Sequence, residues 1–294
     1  MILPEFEYLK PESLDEAISL ASQMGNSAKL MAGGTDVMVA MSGKAIAPEY
    51  IIDLKGIPGL SDITYEKEKG LKIGSLVKLK TIQTSETVAS QYQAVCEAAH
   101  FVASNQIRCL GTMAGNICNA SPSCDTAPIL IVLDAEVHTE RPEGSSRFPV
   151  ETLFTGPKHT RLVPGEIVTE ITIPDRRPGQ GAAYLKLSYR KAMDLAIVGV
   201  AASIVAENGI CKEARIALGA VAATPVRAAE AEKILTGSRL TQKDIEDASI
   251  AAMNGCHPIS DVRASADYRR DMVRVFTKRA IAKAIEDIRQ EVRS

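Results

Sequence analysis

Two glycine-bearing segments stand out in this sequence of 294 residues: KLMAGGTDV at residues 29–37 and IRCLGTMAGNICNASPSCDTAPILIVLDAEV at residues 107–137. Glycine permits positive φ angles and close backbone approach, so the N–H groups of such loops can converge on an anion. Thr35, Thr112 and Asn116 add short hydrogen-bonding side chains without bulk. The two segments therefore predict a clamp that binds a pyrophosphate with neutral donors. Two tight turns without a ligand are the alternative interpretation.

A carboxylate follows the second glycine segment. Asp125 stands in the run CDTAP, where it can accept hydrogen bonds from the ribose or ribityl hydroxyls of a dinucleotide. The same residue can instead cap a helix, because a proline such as Pro128 suits a first helical turn.

The sequence around these segments predicts an α+β protein. Ser13 and Glu16 form a capping-box pattern at the start of an amphipathic helix, and apolar and polar residues alternate over 167–173 as in a strand. The pair Asn208-Gly209 predicts a type I′ hairpin between two further strands. A C-terminal helix carries an apolar i+4 ridge made of Met272, Phe276, Ala280, Ala284 and Ile288.

A change in composition marks the domain boundary. The run PDRRPG at 174–179 is typical of a linker and predicts a first domain over 1–175 and a C-terminal domain over 180–294. The polar stretch 104–116 is too long for a simple turn, and we expect an irregular functional loop there.

Composition excludes several classes of protein. Lys and Arg number 34 against 36 Asp and Glu, and this balance argues against a general nucleic-acid binder. The longest apolar stretch, 195–206, falls short of the ~20 residues that a membrane span requires. The sequence has no phosphate-binding P-loop, zinc-protease motif or serine-hydrolase elbow. Acidic residues near the N-terminus are untypical of a signal peptide, so we expect a cytoplasmic protein.

The cysteines leave two interpretations open. Six are present without CxxC spacing, which fits reduced thiols better than a disulfide framework. Cys109, Cys118 and Cys124 lie close enough in sequence to help hold an iron–sulfur cluster, but such clusters usually take four ligands. Small buried residues in a tightly packed loop are the favoured interpretation.

The wording of both glycine segments is similar to the two flavin-binding signatures of the FAD-binding subunit of molybdenum hydroxylases, the xanthine dehydrogenase and carbon monoxide dehydrogenase family. The resemblance extends over nearly the whole chain, in the same order. It includes YLKLSYRKAMDLAIVGVA at 184–201, LGAVAATPVRAAEAEKIL at 218–235 and SDVRASADYRRDMVRVFTKRAI at 260–281. It implies a PCMH-type (vanillyl-alcohol-oxidase-like) FAD-binding domain of two subdomains. A C-terminal α+β domain with a β-hairpin, a sheet and helices follows.

The resemblance also implies which residues bind FAD. Asp125 matches a carboxylate near the ribityl and ribose hydroxyls, Val168 an apolar position near the isoalloxazine ring, and Lys186 a lysine near the flavin. Without the resemblance, Lys186 at a strand end would be interpreted as a solvated charge. The residues matched to the pyrophosphate are Lys29, Leu30, Met31, Ala32, Gly33, Gly34, Thr35 and Asp36 in the first signature, and Thr112, Met113, Ala114, Gly115 and Asn116 in the second.

Two positions depart from the family pattern. Val102 stands where some members place an aromatic residue that stacks on the ring, so it is expected at the flavin without stacking. Ala114 replaces a glycine of the usual TIGGN, and its methyl group requires a negative φ and room beside the ligand. Neither loop contains a histidine, so no histidyl–flavin bond is expected.

The function implied by the resemblance is electron transfer. Substrate is oxidised at the molybdopterin cofactor of a large partner, and electrons pass through two [2Fe–2S] clusters of a small partner to FAD in this chain. NAD or another acceptor then takes them. The expected assembly is a heterotrimer or a dimer of heterotrimers, and this chain is expected to hold no catalytic residue and no metal. Arg263, Arg269 and Arg270 are interpreted as structural ion pairs or a subunit contact.

The alternative function is a self-sufficient flavin oxidase or reductase on the same fold. Such an enzyme needs a general acid or base beside the flavin. No His, Ser or Tyr of this sequence is tied to such a motif.

Overall fold

The first unit of the fold is a small parallel sheet. The structure is a computed structural model that describes residues 3–291, with side chains up to residue 289. The strands of this parallel sheet are β1 (Glu7–Leu9), β2 (Ala28–Met31) and β3 (Tyr50–Asp53), in the order β1-β3-β2. Helices α1 (Leu14–Met24) and α2 (Val37–Ser42) accompany them. Ser13 caps α1 by accepting a hydrogen bond from the Glu16 amide, as the sequence predicts. Because the strands are parallel, the segments that follow β2 and β3 emerge at the same edge of the sheet.

The second unit is a five-stranded antiparallel sheet covered by helices. Its strands are β4 (Ile63–Glu66), β5 (Gly70–Gly74), β6 (Glu136–Arg141), β7 (Gly144–Pro149) and β10 (Ile167–Ile173). They pair in the order β4-β5-β10-β6-β7. Strands β8 (Phe154–Gly156) and β9 (His159–Thr160) form a separate pair. The helices are α3 (Leu79–Thr84), α4 (Glu86–Phe101), α5 (Asn105–Arg108), α6 (Met113–Cys118) and α7 (Thr126–Val132).

The prediction of an irregular loop over 104–116 is wrong. The stretch contains α5 and the start of α6, two short helices joined at Gly111. Each begins at a capping side chain: Ser104 accepts from the Ile107 amide at 3.2 Å, and Thr112 accepts from the Gly115 amide at 3.0 Å. Such caps satisfy amides that have no partner within the helix, so they stabilise even short helical segments.

The third unit is the C-terminal sheet with its helices. The strands are β11 (Gln180–Leu187), β12 (Val198–Glu207), β13 (Ile210–Gly219) and β14 (Val226–Arg227), and the helices are α8 (Ala229–Leu235), α9 (Gln242–Asn254) and α10 (Ala266–Glu291). The predicted hairpin is confirmed, since Asn208 and Gly209 have φ angles of 52° and 75° between β12 and β13. The α+β class is therefore confirmed.

Both faces of the C-terminal sheet are covered. One face packs against α8 to α10, where Ala280 and Ala284 of the predicted ridge are fully buried. The other face contributes Ala201 and Ala217 to the core that contains α4 and α7 of the second unit. A Cβ at Gly181 would lie 2.0 Å from the Ala284 carbonyl oxygen, so only glycine lets α10 approach β11 so closely. This packing fixes β11 beside α7.

Three arginines near the C-terminal helix lie in ion pairs, and the cysteines differ in their burial. Arg263 and Arg269 pair with Asp261, and Arg270 pairs with Asp267, which confirms the interpretation of these arginines as ion pairs. Of the three cysteines near the second glycine segment, Cys124 is buried, Cys118 is partly buried and Cys109 is exposed, so the interpretation as small buried residues is confirmed for Cys124 and wrong for Cys109. None of the helices within 3–291 combines the length and apolar character that crossing a bilayer requires. Met1 and Ile2, with which the sequence begins, lie outside the described residues.

Candidate cofactor-binding site

The two glycine segments form loops that touch each other. The first glycine loop (residues 32–36) joins β2 to α2, and the second glycine loop (residues 110–116) leads into α6. A Cβ at Gly33 would lie 2.2 Å from the Leu110 carbonyl oxygen and 2.7 Å from the Gly111 Cα. A side chain at position 33 would therefore force the two backbones apart.

The first glycine loop exposes unused backbone donors. Gly34 has a φ of 74°, which reverses the chain direction between β2 and α2. Within the described part of the chain, the amides of Gly33, Gly34 and Thr35 donate to no protein acceptor. Backbone N–H groups rarely stay unpaired unless water or a ligand accepts from them. The loop therefore fits the anion-binding role that the sequence predicts.

The second glycine loop supplies donors through a helical turn. Met113 and Ala114 occupy the first turn of α6, where amides have no partner within the helix, and both side chains are buried in the core. Only their backbone can therefore contact a ligand. Ala114 is helical and is absent from the residues with positive φ, so the first condition for its methyl group is met.

A hydrogen-bonded bridge, which the sequence analysis missed, connects the first glycine loop to the end of α6. Asn119 Nδ2 donates to Asp36 Oδ1 at 2.8 Å, and Lys158 Nζ donates to Asn119 Oδ1 at 2.9 Å. Asn116 is also engaged, because its Oδ1 accepts from Thr126 Oγ1 at 2.7 Å. Its side chain stabilises the turn into α7.

Asp125 lies at the start of α7 but does not cap it. Its side chain makes no capping hydrogen bond, so the capping interpretation is wrong. Instead, Oδ1 accepts from the Tyr184 hydroxyl at 2.8 Å and Oδ2 accepts from Lys186 Nζ at 2.8 Å. An ionised carboxylate has about four lone-pair directions, so two remain for ligand hydroxyls.

Lys186 is a buried hub rather than a solvated charge. Its side chain is 4% exposed and pairs with Asp125, so the interpretation as a solvated lysine is wrong. Nζ also donates to the carbonyl oxygens of Phe101 at 3.2 Å and of Asp194 at 2.8 Å. These three contacts connect α7, the end of α4 and the segment after β11.

Burial sets the electrostatics of this group. It raises the pKa of the Asp125 carboxyl above its usual value, against the opposing effects of Lys186 and Tyr184. Burial, together with the Asp125 charge, also raises the pKa of Tyr184 well above its usual value. Tyr184 therefore keeps its proton, and its hydroxyl donates a hydrogen bond to the Asp125 carboxylate.

Tyr184 is a site residue that the sequence analysis missed. It shares a face of β11 with Lys186, two residues away, and this spacing is the signal that could have revealed it. A Cβ at Gly199 would lie 2.8 Å from the Tyr184 hydroxyl oxygen, so the glycine on β12 leaves space for this contact. The Phe101 ring packs edge-on against Tyr184 with centroids 5.9 Å apart.

The other predicted site residues differ in how deeply they are buried. Val102 and Val168 are buried in the same apolar cluster as Met113 and Ala114. On β2, Lys29 is exposed and Leu30 partly buried, whereas the Met31 side chain packs with Met41 and Ile51. The Met31 side chain therefore belongs to the core.

The thiols near the second loop are neutral. Loss of solvation raises the pKa of Cys118 to about 12 and that of Cys124 to about 11. In the part of the chain that the structure describes, no group of His, Cys, Asp or Glu is arranged to hold a metal ion.

These features define a dinucleotide-binding protein. Two opposed loops present free amides, glycine at position 33 allows them to meet, and a buried carboxylate lies beyond the second loop. Neutral amide donors suit a pyrophosphate, and the carboxylate suits sugar or ribityl hydroxyls.

Comparison with known proteins identifies the family. Residues 4–176 match the FAD binding domain in molybdopterin dehydrogenase, and residues 183–284 match the CO dehydrogenase flavoprotein C-terminal domain. The chain therefore belongs to the family of FAD-binding medium subunits of molybdenum hydroxylases, which are oxidoreductases. The predicted resemblance, fold and FAD cofactor are thereby confirmed.

Individual relatives match along their whole length. The chain is 33% identical to the 6-hydroxypseudooxynicotine dehydrogenase complex subunit alpha of Paenarthrobacter nicotinovorans, covering 97% of this chain and 96% of the relative. It is 34% identical to the carbon monoxide dehydrogenase medium chain of Hydrogenophaga pseudoflava, covering 96% and 97%. A structure of reconstituted CO dehydrogenase from Oligotropha carboxidovorans superposes with a TM-score of 0.94 at 32% identity, covering 98% and 100%.

Proposed function

We propose that this chain carries electrons from the [2Fe–2S] clusters of a small partner subunit, through its FAD, to NAD or another acceptor. A large partner holds the molybdopterin cofactor at which substrate is oxidised. The observation that supports this separation of electron transfer from substrate oxidation is that the polar side chains of the site are already engaged in hydrogen bonds. Its polar side chains hold one another, and Tyr184, a buried hydroxyl beside the site, is engaged with Asp125. A self-sufficient oxidase would need a free acid or base instead.

The proposed role of the residues is to bind and orient the flavin. The amides of the first glycine loop and of Met113 and Ala114 bind the pyrophosphate, and Asp125 accepts from the ribityl or ribose hydroxyls. Val102 and Val168 supply apolar surface near the ring, and Lys186 places a fixed positive charge in its neighbourhood. FAD, when bound, supplies the redox chemistry, and the protein tunes and positions it.

The boundaries and setting of the subunit are part of the proposal. We place the FAD-binding domain at 1–175 and the C-terminal domain at 180–294, in a heterotrimer or a dimer of heterotrimers. A cytoplasmic location is supported by six free cysteines, which suit a reducing compartment.

Electron transfer can be tested with the protein and its partners. The small partner would be reduced with dithionite, freed of excess reductant and mixed rapidly with the FAD-loaded chain. We expect the flavin absorbance to fall as the iron–sulfur absorbance recovers, and NAD or a dye to reoxidise the flavin. A flavin that stays oxidised beside the reduced partner would contradict the route. So would turnover of substrate by the chain alone.

A further inference from the structure

An ion pair at the carboxyl end of β3 lies next to the first glycine loop. Asp53 is 2% exposed, and its carboxylate accepts from the Tyr8 hydroxyl, from the Lys55 amide at 3.1 Å and from Lys55 Nζ at 2.5 Å. Burial alone would raise the pKa of Asp53, but the hydrogen bonds from Lys55 and Tyr8 outweigh it and lower the pKa below its usual value. The carboxylate is therefore ionised and fixed in place, and it holds the Lys55 ammonium.

The ammonium contacts the backbone of the first glycine loop. Lys55 Nζ donates to the Ala32 carbonyl oxygen at 3.3 Å. In a trans peptide the N–H points away from the C=O, so the Gly33 N–H is directed away from Lys55. That amide has no acceptor in the described part of the chain. A cation on the carbonyl oxygen polarises the peptide and makes its N–H a stronger donor.

We propose that Lys55, fixed by Asp53, is a positioning residue for the FAD pyrophosphate, which it favours by strengthening the Gly33 amide as a donor and by its own positive charge. The sequence alone predicts a clamp of neutral donors, and Lys55 adds a cation behind one of them. The inference rests on the proposed assignment of the first glycine loop to the pyrophosphate. Because the Lys55 side chain is 49% exposed, solvent and salt screen its charge.

The test compares the affinities of three probes for the purified full chain at low and high salt. FAD and ADP carry the pyrophosphate, whereas riboflavin lacks it. We expect Lys55→Met to weaken FAD and ADP about three- to fivefold at low salt and to leave riboflavin unchanged, a size typical of exposed charge interactions. The loss should shrink as salt rises. Lys55→Arg should restore most of the affinity.

Two further variants separate charge from structure. Lys72→Met on β5 is a matched control, since Lys72 is 54% exposed and also pairs with an acidic residue, Glu170. Among the described residues, Lys72 makes no hydrogen bond or ion pair with either glycine loop, so this variant should bind FAD normally. Lys55→Met combined with Asp53→Asn leaves no unpaired carboxylate in the core and should show the same loss of FAD affinity. It keeps the test decisive if the single variant folds poorly.

Several results would overturn the inference. These are an unchanged FAD affinity in the double variant, an equal loss for riboflavin, and a loss that salt does not alter. Failure of the unaltered chain to bind ADP or FAD would instead contradict the pyrophosphate assignment of the loop. The two failures are therefore distinguishable.

Discussion

The two glycine loops reach the same end by different backbone constructions. The first glycine loop is irregular, turns at Gly34 with a positive φ and depends on Gly33 to meet its neighbour. The second leads into a capped helix whose first turn provides the donors. A helical turn accepts any residue with negative φ, whereas an irregular loop in backbone contact accepts only glycine. The difference explains why Ala114 is compatible with the fold, and it predicts that substitution at position 33 is not.

The largest expected effect is at the buried ion pair of Asp125 and Lys186. Asp125→Asn leaves the Lys186 ammonium buried without a counter-charge, and breaking such a pair costs about 3–5 kcal/mol. We expect the free energy of unfolding, measured in urea, to fall by that amount. Lys186→Met in the Asp125→Asn background should recover part of it, as a double-mutant cycle would show. A single variant as stable as the unaltered chain would mean that the ion pair of Asp125 and Lys186 does not stabilise the packing of α7 against the C-terminal sheet.

The second prediction tests the glycine contact in the first loop. In Gly33→Ala the new Cβ would meet the Leu110 carbonyl oxygen, so the loops must separate, and we expect two or three of the proposed amide contacts to FAD to be lost. At about 1 kcal/mol for each hydrogen bond, FAD affinity should fall about a hundredfold in a flavin titration.

Gly255→Ala is the matched control for that substitution. Its Cβ would lie 3.6 Å from the nearest backbone atom, an ordinary contact, and its φ is negative. FAD should bind this variant normally. Retention of FAD by Gly33→Ala at unchanged affinity would remove the distinction between the two loops.

The sequence predicted these loops better than it predicted their surroundings. Glycine patterns and capping residues are local signals, so the loops, the hairpin at Asn208-Gly209 and the apolar ridge of α10 were accessible from the sequence. The contact of Gly33 with Leu110, which lies 77 residues further along the chain, depends on tertiary packing and was not.

Long-range partners also decided the roles of single charges. Lys186 at a strand end has the sequence pattern of a solvated residue, but Asp125 and two carbonyl groups surround it. The role of Tyr184 likewise depends on Asp125, which lies 59 residues away in the sequence. The polar and glycine residues of the stretch 104–116 favour an irregular loop, whereas its capping side chains Ser104 and Thr112 are the local signal for the two short helices.

A third prediction concerns the cap of α6. Thr112→Ala removes the acceptor for the Gly115 amide and should lower the free energy of unfolding by about 1 kcal/mol. Because the first turn of α6 presents the donors, FAD affinity should also fall a few-fold, and Thr112→Ser should restore it. Ser104→Ala removes the corresponding cap of α5 and should reduce stability without changing FAD affinity. If both variants reduced FAD affinity equally, the first turn of α6 would be no more important for FAD binding than α5.

The smallest expected effect is at the position that departs from the family pattern. Ala114→Gly restores the usual glycine but adds backbone freedom inside a helix, so the free energy of unfolding should fall by about 0.5–1 kcal/mol. Because the Ala114 side chain is 4% exposed and packs in the core, FAD affinity should change less than twofold. Ala98→Gly, at a fully buried site in α4, is the matched control and should lose similar stability. If Ala114→Gly instead bound FAD tenfold more tightly, the methyl group would have to obstruct the ligand. The second loop would then share the first loop's requirement for glycine.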